Sequence, residues 1–130
     1  MHMTLEADYA VRIVEFLAAA NQKVDARTIS EETHVPLRFA LKILRKLVAD
    51  DIMISYKGAH GGYTLSRPAS SITLRQVIEA VEGPYRFSRC VDNGYACNCS
   101  SVTACPFHSV FDDITQMVIQ KLDEATFDSL

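Results

Sequence analysis

The stretch 34-HVPLRFALKILRKLVADDIMISYKGAHGGYTLS-66 decides the reading of this chain. His34-Val35-Pro36 interrupts one helix, and Pro36 suits the first turn of the next, where its missing N–H costs nothing. Leu37, Leu41, Leu44 and Val48 recur at helical spacing and predict the buried stripe of a helix over 37–50. Arg38, Lys42 and Arg45 fall at spacings of four and three on its other side, as a basic stripe. Ile52–Lys57 and Tyr63–Ser66 then read as two strands, joined by the flexible turn Gly58-Ala59-His60-Gly61-Gly62.

Working outward, the flanks supply more helices. Upstream, Leu5, Tyr9, Ile13, Phe16, Leu17 and Ala20 predict a helix over 5–20, with Thr4 as its N-cap. Asp8 and Arg12 stand four apart on its polar side, as a weak supporting pair. A second helix starts after Asp25 and runs to about Thr33. Downstream, Thr73 and Gln76 form a capping box for a short helix whose apolar face is Leu74, Val77, Ile78 and Val81, ended by Gly83-Pro84. An amphipathic helix from about Pro106 to Ala125 closes the chain, with Phe107, Phe111, Ile114, Val118 and Leu122 along one side. The expected fold is mainly α with a small β-hairpin: a winged helix-turn-helix followed by a long C-terminal dimerisation helix. The expected units are a winged-helix module over 1–83, a cysteine-rich loop over 84–106, and a dimerisation helix and tail over 107–130.

Composition narrows the class. Hydrophobic residues make up 48% of the chain, enough to bury a core. No stretch is apolar over eighteen residues, so no membrane span is expected. Glu6, Asp8 and Arg12 break any signal-peptide pattern, so a cytoplasmic location, with reduced thiols, is expected. The formal net charge of −3 speaks against nucleic acid, but its distribution does not. From Arg38 to Arg75 there are seven basic residues against two acidic ones; from Val77 onward there are three basic against eight acidic. A basic module is joined to an acidic one.

Helix, helix, tight turn, helix and hairpin is the element order of a winged helix, whose post-turn helix enters the major groove of double-stranded DNA. Arg38, Phe39 and Lys42 on that helix, and Lys57, His60 and Gly61 in the hairpin turn, are the candidate DNA contacts. The plainer alternative is a solvated basic face. The apolar side of the last helix needs a cover. It either folds back on the first helix or pairs with a second copy, and a two-fold dimer would read a pseudo-palindromic operator. Neither a nucleophile motif nor a phosphate loop is present, nor paired carboxylates at a recognisable spacing, so a binding protein is expected rather than an enzyme.

All four cysteines, Cys90, Cys97, Cys99 and Cys105, lie in the twenty residues from Arg89 to His108. Thiolates select zinc, copper(I) or iron–sulfur clusters. Structural zinc sites favour C-x2-C pairs, and none occurs here. Gaps of six, one and five residues make a loose loop, better suited to a cluster several ångströms across. A redox dithiol remains the alternative.

Leu5–Arg12 at the head of the first helix, Lys57–Leu65 in the wing and Thr73–Gly83 carry a resemblance over essentially the whole chain. It resembles the IscR/NsrR-type winged-helix transcriptional regulators, bacterial repressors that sense iron–sulfur status, nitric oxide, iron or redox state. The resemblance implies a homodimer and an iron–sulfur cluster, [2Fe-2S] or [4Fe-4S], ligated by three cysteines of the loop. Cys90 matches the first of these and Cys105 the last. The sequence departs from the family pattern in the middle, where Cys97 and Cys99 both stand as the second ligand. The fourth ligand differs between branches: His108 matches a histidine in one, Asp8 a first-helix aspartate that reaches the partner's cluster in another. Two other readings stand beside this one: a regulator of the same fold working through thiol oxidation or zinc, and a small iron–sulfur electron carrier. An electron carrier needs neither the basic stripe nor the wing.

Overall fold

The computed structural model describes residues 2–92 and 105–129. Thr4 caps α1 (Leu5–Ala20), its hydroxyl accepting the Ala7 N–H at 3.1 Å. The helix stops at Asn21, which takes the left-handed conformation that asparagine tolerates better than most residues. α2 (Ala26–Thr33) follows Asp25 and ends in left-handed His34. The turn is tied by Val35 N–H to Ser30 O at 3.2 Å and by the Ser30 hydroxyl to Val35 O at 2.6 Å, and Val35 is buried. Pro36 sits one place earlier than expected, at the N-cap, and α3 runs Leu37–Ala49.

The buried face of α3 is Ala40, Ile43, Leu44 and Leu47. This corrects the expected stripe. Leu44 is shared, Leu37 and Val48 are half-buried at the margin, and Leu41 is 41% exposed. Both sets satisfy helical spacing, so the packing partner decides between them. Ala7 and Ala10 on α1 and Ala40 on α3 are all fully buried, and small side chains let two packed helices approach closely.

β1 (Met53–Tyr56) and β2 (Gly62–Leu65) form the antiparallel hairpin, with Ile54 opposite Thr64 and Tyr56 opposite Gly62. Val24 adds a third rung, exchanging hydrogen bonds with Tyr63 at 3.1 and 2.8 Å. That approach leaves no room at Gly62, where a Cβ would stand 2.8 Å from the Val24 carbonyl oxygen. α4 (Leu74–Glu82) carries the expected capping box and buries Val77, Ile78 and Val81. It ends where the Gly83 N–H reaches Glu79 O at 2.8 Å.

After a short 3-10 turn at Arg89–Val91, the chain is described again at Cys105, and α5 spans Pro106–Glu124. α5 packs against α4 and against that turn. The residues after it return to the winged-helix core: Leu74 N–H bonds Ala125 O at 2.9 Å, Phe127 N–H bonds Ile72 O at 3.2 Å, and the Phe127 side chain is buried. No helix among the described residues is long and apolar enough to cross a membrane.

Candidate DNA-binding surface and the cysteine segment

Arg38, Lys42 and Arg45 are all exposed on the outer face of α3. The Arg38 guanidinium lies over the Phe39 ring at 5.0 Å. Phe39 is itself half-buried against Tyr9 of α1, with ring centroids 6.0 Å apart. Its place is the α1–α3 junction, supporting Arg38, rather than free on the basic face. Lys42 Nζ stands 4.0 Å from a Glu6 carboxylate oxygen and keeps more than half of its side chain exposed.

Three of the seven basic residues counted in this region are held within the chain. Lys46 Nζ bonds Glu6 at 2.8 Å and the Val81 carbonyl at 3.2 Å. Arg67 reaches Asp51 O at 2.8 Å, Ser71 O at 3.2 Å and Gln76 Oε1 at 3.2 Å, locking the wing's exit onto α4. Arg75 pairs with Asp123 of α5 at 3.0 Å and with Glu79 at 3.2 Å, and the hydrogen bond to Asp123 chiefly raises its pKa above the ordinary arginine value. Charge counting along the sequence could not separate these from the outward-facing set, because acceptors such as Glu6, Asp51 and Asp123 lie far away in the sequence.

In the wing, Lys57 and His60 are exposed. Gly61 closes the turn: its N–H bonds Gly58 O at 3.0 Å, and a Cβ there would stand 2.5 Å from the Tyr56 carbonyl oxygen. Lys23, absent from the sequence candidates, lies beside the hairpin with its ammonium 5.3 Å from the centre of the Tyr56 ring. Its signal is only the backbone rung at Val24, which brings the α1–α2 connection to the wing.

The cysteine segment is described at its two ends. Cys90 lies half-buried in the 3-10 turn, its thiol 3.4 Å from the Ser88 hydroxyl. Cys105, also half-buried, is the N-cap residue of α5. Cys97 and Cys99 lie outside the described residues. His108 is exposed in the first turn of α5. Asp8 forms the expected pair with Arg12 at 2.7 Å on the surface of α1. Among the described residues, no three His, Cys, Asp or Glu side chains come together as a metal site.

The segment's entry is fastened to α5. The Phe87 N–H donates to the buried Thr115 hydroxyl at 3.0 Å, and that hydroxyl donates to Phe111 O at 2.8 Å. The Phe87 and Phe111 rings meet at 5.4 Å. Thr115 is not legible in the sequence, since a lone threonine inside an apolar stripe carries no distinctive pattern. Along α5, Phe111, Ile114, Val118 and Leu122 are half-buried, while Phe107 (65%), Val110 (52%) and Met117 (70%) are exposed.

A helix-turn-helix with an outward basic face, followed by a hairpin wing with an exposed lysine, defines a winged-helix DNA-binding regulator. The profile of the Rrf2 family, described as an iron-dependent transcriptional regulator, matches residues 3–130, and the chain belongs to that family. It is 29% identical over 131 residues to protein aau3 of Rhizobium meliloti, covering 100% of this chain and 84% of that one. It is 28% identical over 132 residues to the HTH-type transcriptional regulator IscR of Vibrio vulnificus, covering 100% of this chain and 77% of that one. The fold is similar to that of CymR, the global cysteine regulator of B. subtilis, with a TM-score of 0.76 and 18% identity over 98% of this chain and 94% of that one. The expectation of a regulator rather than an enzyme agrees with this membership.

Proposed function

We propose that the chain acts in the cytoplasm as a dimeric repressor whose affinity for a pseudo-palindromic operator is set by an iron–sulfur cluster, [2Fe-2S] or [4Fe-4S]. The observation that carries this is the attachment of the cysteine segment at both ends: Cys90 lies in a turn packed on α5, and Cys105 caps the same helix. The family's description as iron-dependent and the likeness to an IscR support it. The donor set suits the group, since soft thiolates are the ligands such clusters require and both described thiols are half-buried and, among the described residues, in no disulfide. The proposed ligands are Cys90, Cys105 and one of Cys97 and Cys99. His108 or Asp8 of the partner subunit is the fourth, and Asp8 would exchange its Arg12 partner to serve. When bound, the cluster supplies a redox-sensitive clamp across the segment.

The chain's own residues carry the consequence. Any shift of the segment's entry pulls on Phe87, and Phe87 is held by Thr115 and Phe111 of α5. α5 pairs with its copy through Phe107, Phe111, Ile114, Val118 and Leu122, with Val110 and Met117 alongside. Arg38, Lys42, Lys57 and His60 contact DNA, with Gly61 shaping the wing. Movement of α5 therefore resets the spacing of two reading heads, which must match the half-sites.

Anaerobic purification followed by an absorption spectrum and iron and sulfide analysis tests the reading. A brown protein with iron and acid-labile sulfide is expected. A colourless protein, holding zinc or a reversible disulfide, overturns the cluster in favour of thiol or zinc control. Replacing Cys97 and Cys99 singly by serine should abolish the cluster in one variant only; equal loss in both overturns the three-cysteine ligand set.

A further inference from the structure

Leu41 is out of place in a cationic surface. An isolated exposed leucine needs no explanation by itself, but its position matters. It lies three residues after Arg38 and four before Arg45, spacings that share one helix face. The α1 side of α3 is marked by Phe39 against Tyr9 and by Lys46 on Glu6. Leu41 projects about 160° around the helix axis from Phe39 at roughly 100° per residue, so α1 does not cover it, and it stays 41% exposed. The cations around it suit phosphates and guanine edges, and neither contact reads a thymine. An aliphatic side chain has one complementary group on the edges of bases in the major groove, the C5-methyl of thymine.

We propose that Leu41 packs on the C5-methyl of a thymine and sets base preference at that position of each half-site. This rests on the reading of α3 as the helix that enters the groove.

The test uses operators selected in vitro with the full-length chain. Each thymine is replaced singly by deoxyuridine, which removes only the methyl. The wild-type chain should lose affinity at one thymine per half-site, by about fourfold for one buried methyl. Leu41→Ala should bind the thymine and deoxyuridine operators equally, with an unchanged salt slope and an unchanged melting temperature. A flat deoxyuridine scan of the wild-type chain overturns the proposal, as does a Leu41→Ala variant that still discriminates. The wild-type scan stands whether or not the variant folds. The parent reading has its own arm. If joint replacement of Arg38, Lys42 and Arg45 by alanine leaves affinity intact, α3 is not the groove helix and Leu41 falls with it. If that variant loses binding while the scan is flat, only Leu41 falls.

Discussion

α3 and α5 are both amphipathic helices, yet they are finished differently. α3 buries four aliphatic residues completely and turns Arg38, Lys42 and Arg45 outward, so it is complete within one chain. α5 buries only Thr115 fully among its residues and leaves Phe107, Val110 and Met117 on the surface. Apolar side chains recurring along one helix make a patch of the kind that marks an interface. The winged-helix core closes its own apolar face, whereas α5, packed on α4 and on the 3-10 turn, leaves apolar side chains uncovered. Control fits the second kind of helix, because an interface can shift without unfolding the core.

Substitutions that fall on one side of this contrast should leave the other intact. The largest effect is expected at Ile43. Ile43→Ala should cost about 2–5 kcal/mol of stability, read by thermal or denaturant melts. Met117→Glu should leave the fold of each chain intact but yield monomers in light scattering. Losing the second head should lower operator affinity by about a hundredfold. A dimeric Met117→Glu would remove that face from the interface. Thr115→Val should cost about 1–3 kcal/mol, because the Phe87 N–H loses its acceptor, and hydrogen exchange at Phe87 should quicken.

The smallest pair separates cations by use. Lys57→Ala should weaken binding on all sequences alike and reduce the salt slope by about one. Arg67→Ala should leave that slope unchanged and lower stability instead, since its hydrogen bonds run to Asp51, Ser71 and Gln76. A reversed outcome would mean that exposure and internal bonding do not identify the DNA contacts.

What was legible in the sequence was local. The Thr73–Gln76 capping box, the glycine turn of the wing, the Asp8–Arg12 pair and the start of α5 at Pro106 depend on residues a few positions apart, and each is found. The buried face of α3 was not legible, because two stripes one residue apart fit the same period and the choice is made by α1, α2, α4 and β1 packing around it. The internal anchoring of Lys46 and Arg67 was hidden for a related reason: Glu6 and Gln76 lie on separate elements. Phe127 entered the core unannounced, through a bridge to residues some fifty positions earlier. At the cysteine segment the residue types suggest the chemistry, and Cys90 and Cys105 have places, while the choice between Cys97 and Cys99 lies outside the described residues.

The most direct measurement of the central claim is operator affinity with and without the iron–sulfur cluster, on two operators. One keeps the selected half-site spacing; the other has about five base pairs, half a helical turn, inserted between the half-sites. The account predicts that cluster loading changes affinity for the first operator by at least about tenfold, and that the insertion abolishes this response. An equal response on both operators, or none on either, would contradict control through the spacing of two heads on a shared stalk.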